Sequence, residues 1–556
     1  MLAGVHFVQV VRTCVGRALL RVAVHVDALR RHPQAWGRAA WWRLLGKRLR
    51  ARAQMAPLLG TSPRAYRLWL RQGGGAVPRV PIPAGAPDIL ALVAEGGGLR
   101  DTLASLAREA VQARVVLRQS VPEWTGLAEG GADCSLWLLP LRAGDILAPG
   151  AGALYRAAAQ VASRHTRVLY ADDDLCDAHG HRACPHFKPD WNEELFAHHD
   201  FLTGASLLRA EAQDLTDLPA RDWMPALTHR VRAAQGSAAP VHLRHILHHR
   251  RTRPVPSRPK NASALLKAPE GGWPCVSVIV PTRNRVDLLR TCLEGLAVVE
   301  YSGPLEVLVI DNGSDDPATL DYLSGLDPAF ARVLTHPGPF NFAEMNNRAL
   351  AEAQGDLVCF LNNDIEMRDP HWLAVMARQA LRPEVGAVGA RLLYPDGRIQ
   401  HAGVVIGIGG GAAHGHRLLD PNETGYFARH ALPQFVSAVT AACLVVRRDK
   451  VLAVGGFDAA NFAVAFNDVD LCLKLNAQGW QSFYEPRATL VHHESVSRGL
   501  DRDPVGAARL AGELVALKAR WGTGGAQGQV AAPGEAVDPF HHPALSPYSE
   551  RFVVRL

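Results

Sequence analysis

Cysteine is sparse in this chain: nine in 556 residues, with no C-x-x-C spacing among them. That excludes a zinc ribbon and argues against a secreted disulfide framework, so a reducing compartment is expected. Long hydrophobic runs are missing too, none approaching the roughly 18 residues of a membrane-spanning helix. The amino terminus shows neither the basic n-region nor the small-residue cleavage pattern of a signal peptide. The expected location is therefore cytoplasmic, or peripheral on the inner face of the cell membrane. Acidic residues are nearly absent from the first 60 positions, which hold eleven Arg and Lys and one Asp, so the net charge of +7 is local to that segment and the remainder is near −3. No recognised nucleic-acid-binding motif accompanies the charge, and nucleic acid is not an expected partner.

What is present is an ordinary globular composition, 48% hydrophobic and 20% charged, in a chain longer than one core usually organises. At least two domains are expected. Residues 1–59 read as helical, with Trp36, Trp41 and Trp42 among the arginines; such a segment either packs as a helical pair on the next domain or lies on an anionic membrane surface. Residues 60–251 alternate helix-like and strand-like stretches, including Val115–Leu117, Leu136–Leu139 and Val168–Tyr170. Residues 252–274 are rich in Pro, Ser and Gly and read as a linker. Over 275–521 strands and helices alternate, which predicts a parallel sheet with right-handed crossovers. Residues 522–556 form a tail expected to be poorly ordered until Tyr548–Leu556 docks.

Three apolar runs in the second half end in polar clusters: Val276–Val280 into Pro281-Thr282-Arg283-Asn284, Leu305–Ile310 into Asp311-Asn312-Gly313-Ser314, and Leu357–Leu361 into Asn362-Asn363-Asp364. Such runs suit strands buried on both faces, and ligands of parallel sheets gather at strand carboxyl ends, so the clusters predict a nucleotide site. Asp311 either faces that ligand or closes an Asx turn. Asp364 is the metal candidate, since Mg²⁺ and Mn²⁺ take one or two carboxylates and let a diphosphate and water complete the shell. Asn362 and Asn363 either add amide oxygens or simply end the strand. Asp468 and Asp470 open a helix, where acids suit the dipole; residues two apart do not share a face, so one general base is expected rather than a dyad. His492 and His493 are either additional ligands or packing residues. The run Gly407–Gly411 lacks a following Lys-Ser/Thr and is no phosphate loop; a flap is expected there, with His401, His414 and His416 as loop residues.

Taken in order, VSVIVPTRNR, LEVLVIDNGSDD, GDLVCFLNNDIEM, GARLLYPDGRIQHAGVV, AVTAACLVVRR, VGGFD, FNDVDLCLKL and HHESVSRG resemble the inverting family 2 glycosyltransferases, in particular the bacterial rhamnosyltransferase-like branch, over about residues 275–521. The resemblance implies an α/β GT-A fold, Rossmann-like, with a nucleotide-diphospho-sugar donor, a divalent cation (Mg²⁺ or Mn²⁺), and transfer with inversion onto a hydroxyl of a glycan or lipid-linked acceptor. On the family's pattern Pro281, Thr282, Asn284 and Asn363 border the nucleotide and Asp311 faces base and ribose. Asp364 is the metal end of an Asp-x-Asp motif that here reads Asn-Asn-Asp. Asp468 is the second member of a Glu-Asp pair whose Glu is replaced by Asn467, and takes the place of the acceptor base. His493, ahead of His492, matches a late histidine that approaches the metal. A weaker resemblance covers the preceding region through Leu136–Gly150, Tyr170–Asp174 and His186–Trp191. There the opening nucleotide strand is not recognisable and the acidic motif is lost, which implies a smaller, degenerate GT-A-like domain in which Asp172–Asp174 do not form a site. The expected function is a transferase of cell-surface polysaccharide (O-antigen or capsule) synthesis. The alternatives are a sugar nucleotidyltransferase, disfavoured because Pro281–Arg285 is not a Gly-rich basic loop, and a non-catalytic carbohydrate-binding or assembly protein.

Overall fold

The computed structural model describes residues 2–123, 135–259, 262–493, 504–522 and 538–556, with the backbone alone for 2–13. Parts of the expected linker (260–261), of the His-His-Glu-Ser segment (494–503) and of the tail (523–537) lie outside the described residues. The basic amino-terminal segment and the residues just after it fold as four helices, α1 (Leu2–Arg31), α2 (Pro33–Leu44), α3 (Arg48–Gly60) and α4 (Ala65–Arg71). Pro33 opens α2 at a position where a missing N–H costs nothing.

Two mixed sheets follow. The first is built from β1 (Ile89–Ala94), β2 (Gln112–Val116), β3 (Leu136–Arg142), β4 (Ile146–Leu147), β5 (Val168–Cys176), β6 (Arg182–His186), β7 (Ser206–Ala210) and β8 (Val241–Arg250). The second is built from β9 (Val276–Thr282), β10 (Leu305–Asp311), β11 (Ala331–Thr335), β12 (Leu357–Leu361), β13 (Ile365–Met367), β14 (Val385–Leu393), β15 (Ile399–His401), β18 (Gln434–Val436), β19 (Cys443–Arg447) and β20 (Gln481–His492), with β16 (Val404–Ile406) and β17 (Ala412–His414) pairing apart from it. Strands β9 and β12 are buried along their whole length, as their unbroken apolar runs require, and separate two apolar layers.

The second sheet is parallel across β11-β10-β9-β12 and again between β14 and β20. Beyond β12 it departs from the all-parallel expectation, because β19 runs antiparallel to both β12 and β14. Its order is β11-β10-β9-β12-β19-β14-β20-β13, and that of the first sheet is β2-β1-β3-β7-β5-β8-β4. Without the edge strand β11, these orders correspond strand for strand. The senses of pairing also agree, from β1 with β2 and β9 with β10 through β4 with β8 and β13 with β20. The first sheet is therefore a second copy of the architecture, and its opening strand, unrecognised in the sequence, is β1.

Residues 538–556 form a strap between the two sheets. The Asp190 amide donates to the Pro539 carbonyl, the Ile406 amide to Asp538, and the Gly409 amide to the Pro547 carbonyl. Leu545 and Phe552 join Tyr66 and Trp69 of α4, Phe187 and Ile246 of the first unit, and Val405 and Ile408 of the second in one apolar cluster. The strap is docked from Asp538, ten residues earlier than the sequence suggested.

Candidate functional site

The carboxyl ends of β9, β10 and β12 meet. Thr282 pairs with Asp311 across β9 and β10. The Thr282 hydroxyl accepts the Asn363 side-chain amide at 3.0 Å. Asn284, in the left-handed region at φ 56°, latches the β9 loop to the β10 loop: its side-chain oxygen accepts the amides of Asp315 and Asp316 at 3.0 and 3.1 Å, and its own amide donates to Ser314. Asp311 takes the Ser314 hydroxyl at 2.5 Å and its amide at 3.1 Å, so it closes the Asx-type turn. A carboxylate has about four acceptor positions, and that turn does not exhaust them. Pro281 lies in the buried β9 one residue before Thr282, opposite Ile310.

Asp364 lies in the turn between β12 and β13 and is 5% exposed. Its Oδ1 has no well-aligned donor, yet lies 3.1 Å from Nε2 of His492. Burial works against its charge, but the adjacent imidazole outweighs it and holds the carboxyl below its ordinary range. Nδ1 of His492 meets the Gln400 side-chain amide at 2.9 Å, a group able to donate or accept. A buried carboxylate oxygen short of a partner, facing an imidazole nitrogen, is a donor set that fits a divalent cation. His493 is not in that position. Its ring pairs with Glu366 at 3.0 Å, and only its backbone amide reaches Asp364, at the main-chain carbonyl. The reason is strand phase: His492 pairs with Ile365 across β20 and β13, so adjacent side chains leave on opposite faces.

Asp468 opens the helix Asn467–Ala477 and is half-buried. Its carboxylate accepts the Ala441 amide at 3.1 Å and the Val469 amide at 2.8 Å. Burial pushes its pKa up, and those amides with the Thr440 hydroxyl offset this only in part. Asp470 is fully buried against Arg520 at 2.8 Å and the Trp521 indole at 2.9 Å. The loop that holds Asp468 also touches the metal candidate's turn, since the Asn362 amide donates to the Ala442 carbonyl at 3.0 Å. Thr440, Ala441 and Gln400 thus belong to the site although they carry no chemistry a sequence reader would single out.

The first sheet lacks these groups. Where Asp311 and Thr282 pair, it pairs Val116 and Ala94. Its helix Trp223–Ala234, before β8, contains no acidic residue. Asp145 precedes β4 as Asp364 precedes β13, but His249, the counterpart of His492, binds Asp174 instead, at 2.7 Å. Asp173 is closed in by Lys188, Arg250 and Arg253, at 3.1, 3.5 and 2.9 Å. Asp172, His242 and His542 bring ligand atoms within 4.8 Å of one another. Their spacing would suit a cation; their protonation does not. His542 Nδ1 accepts the Ala544 amide, which leaves the ring proton on Nε2, the atom that would have to ligate.

Comparison with known proteins gives a match of residues 277–448 to the glycosyl transferase family 2 model. The chain is 36% identical over 400 residues to the O-antigen biosynthesis protein RfbC of Myxococcus xanthus, covering 66% of this chain and 31% of that one. It is 30% identical over 222 residues to the N-acetylglucosaminyl-diphospho-decaprenol L-rhamnosyltransferase of Mycobacterium tuberculosis, covering 36% of this chain and 70% of that one. Among solved structures, the mannosyltransferase PcManGT of Pyrobaculum calidifontis in complex with GDP-Man and Mn²⁺ aligns at 21% identity and a TM-score of 0.34, over 48% of this chain and 70% of that one. The chain spans less than half the length of the relatives it aligns with over the longest stretches.

Proposed function

The chain belongs to glycosyl transferase family 2, and from that premise we propose that its second unit moves a sugar from a nucleotide-diphospho-sugar donor to a hydroxyl of a glycan or lipid-linked acceptor, with inversion, in cell-surface polysaccharide synthesis. The observation that carries this reading is the Asn362–Ala442 contact, which joins the turn bearing Asp364 to the loop holding Asp468 at the ends of β9, β10 and β12. The names of the Myxococcus and Mycobacterium relatives favour O-antigen and rhamnosyl transfer among the options.

In this reading Pro281, Thr282, Asn284, Asp311 and Asn363 border the nucleotide. Asp364 and His492 would hold Mg²⁺ or Mn²⁺, which when bound would neutralise charge on the departing nucleoside diphosphate. Asp468 takes the proton of the acceptor hydroxyl as that oxygen attacks the anomeric carbon opposite the leaving group. One carbon–oxygen bond forms as the bond to the diphosphate breaks, and a single displacement inverts the centre. A glycosidase needs two carboxyl groups; a donor that already carries a good leaving group needs one base. The first unit, without counterparts of Asp311 and Asp468, is assigned a non-catalytic supporting role.

Calorimetric titration with UDP, dTDP and GDP, in Mn²⁺ and then in excess chelator, tests the reading. One nucleotide is expected to bind only with the metal. Binding should be lost in Asp364→Ala, weakened in His492→Ala, and kept in His493→Ala. Absence of binding by every nucleotide would overturn it.

A further inference from the structure

Helix α1 is apolar on two opposite sides. At 100° per residue, Val15, Leu19, Val22 and Leu29 fall within an arc of about 80°, and all four are at least 40% exposed. Val24 and Ala28, which are buried, lie on the reverse side. The exposed stripe is therefore additional to the face that packs on the body of the protein. The corner between α2 and α3 repeats the pattern, with Trp41, Leu44, Leu45 and Leu49 between 50 and 80% exposed. Around these apolar groups Arg38, Arg43, Lys47, Arg48 and Arg50 are all exposed. The segment's one acid, Asp27, is already engaged by Arg64 and by the Ser62 hydroxyl.

We infer that α1 and the α2–α3 corner form a docking surface for an anionic phospholipid membrane. Exposed aliphatic and indole groups set among uncompensated cations match the acyl boundary and the charged headgroups respectively, and each cation near such a surface adds attraction. Charge also decides between occupants. A second copy of this chain would bring another surface of net positive charge against the first, whereas an anionic bilayer is complementary. Helices α2 and α3 wall a cavity of about 680 Å³, lined by Trp42 and Arg50 on one side and by Ile408, Gly409 and Arg551 on the other. Docking thus brings lipid headgroups beside the loop that follows β16, and Gly411 of that loop packs on Leu514 and Phe466, next to the helix of Asp468.

Co-sedimentation of the full chain with phosphatidylcholine vesicles, with and without 30% phosphatidylglycerol, tests the inference and reads no transfer, so it stands or falls apart from the proposed activity. Binding is expected only with phosphatidylglycerol. It should weaken at least tenfold when salt is raised from 0.05 to 0.5 M, and equally in Leu19→Asp/Leu44→Asp, whose exposed positions leave the melting temperature unchanged. Trp41→Phe should remove a blue shift of tryptophan emission on vesicle addition. Failure to bind at low salt, or equal binding to both vesicles, overturns the inference. So does sedimentation of the free chain as a dimer that Leu19→Asp/Leu44→Asp dissolves, since the surface would then belong to a second copy.

Discussion

Asp468 has two backbone amides and a hydroxyl around it and, among the described residues, no paired cation; Asp470, two positions on, is enclosed by Arg520, Lys474 and Trp521. A carboxylate raised in pKa by burial is a stronger base than an exposed one, which general-base catalysis favours. Asp468→Asn is expected to lower kcat by roughly 10²- to 10⁴-fold while leaving the nucleotide Kd unchanged. The acid limb of kcat in the native protein should fall at a pH above the ordinary carboxylate value, since protonating Asp468 removes the base. Retention of full kcat in Asp468→Asn would refute the assignment. The candidate residues were legible in the sequence because each ends an apolar run or opens a helix. The choice between His492 and His493 was not, because strand phase at that point follows from pairing with Ile365, more than a hundred residues earlier.

At the scale of elements, the loop before β19 depends on a strand that carries no functional residue. A Cβ added at Gly389 in β14 would lie 2.4 Å from Cβ of Val439, the residue before Thr440. The clash forces strand or loop to shift, and the loop carries the Ala441 amide that holds Asp468. Gly389→Ala is expected to cost about 1–3 kcal/mol of stability and to depress kcat more than nucleotide affinity, checked by melting temperature and steady-state rates. Unchanged kcat in a folded variant would separate the loop from catalysis. The parallel strands β9, β10 and β12 could be read from composition alone, since burial on both faces demands continuous apolar residues. The reversal at β19 could not, as Cys443–Arg447 looks the same in either direction. Strand β1 was missed because it ends in Glu95-Gly96-Gly97-Gly98 instead of the polar cluster that marks β9.

Over the whole molecule, histidines gather where the two sheets and the strap meet. His186, His199, His416 and His541 are buried there, His186 stacked on Phe427 and His416 on Phe552. Burial lowers the pKa of all four, with His199 brought down to about 4 and His541 to about 3. The folded state keeps these rings neutral, while the unfolded chain binds protons below its ordinary 6.5. Stability is therefore complete above that value and declines as pH falls toward the folded pKa values. His242 and His229 oppose the trend, since neighbouring aspartates raise their pKa against the effect of burial, but burial also lowers His25, His198, His245, His248, His401 and His430. A melting temperature level above pH 7 and falling steadily from 6.5 to 4 is expected; a level profile across that range would contradict it. The strap has a further consequence, one of timing. Asp172 is made early and buried in the first unit, but its partner His542 follows only after the whole of the second sheet. At a synthesis rate of roughly 5–20 residues per second, the first unit spends tens of seconds with the strap's seat open. The seat on Asp172, Phe187 and Asp190 is thus exposed to other contacts for as long as the ribosome takes to reach its proper occupant.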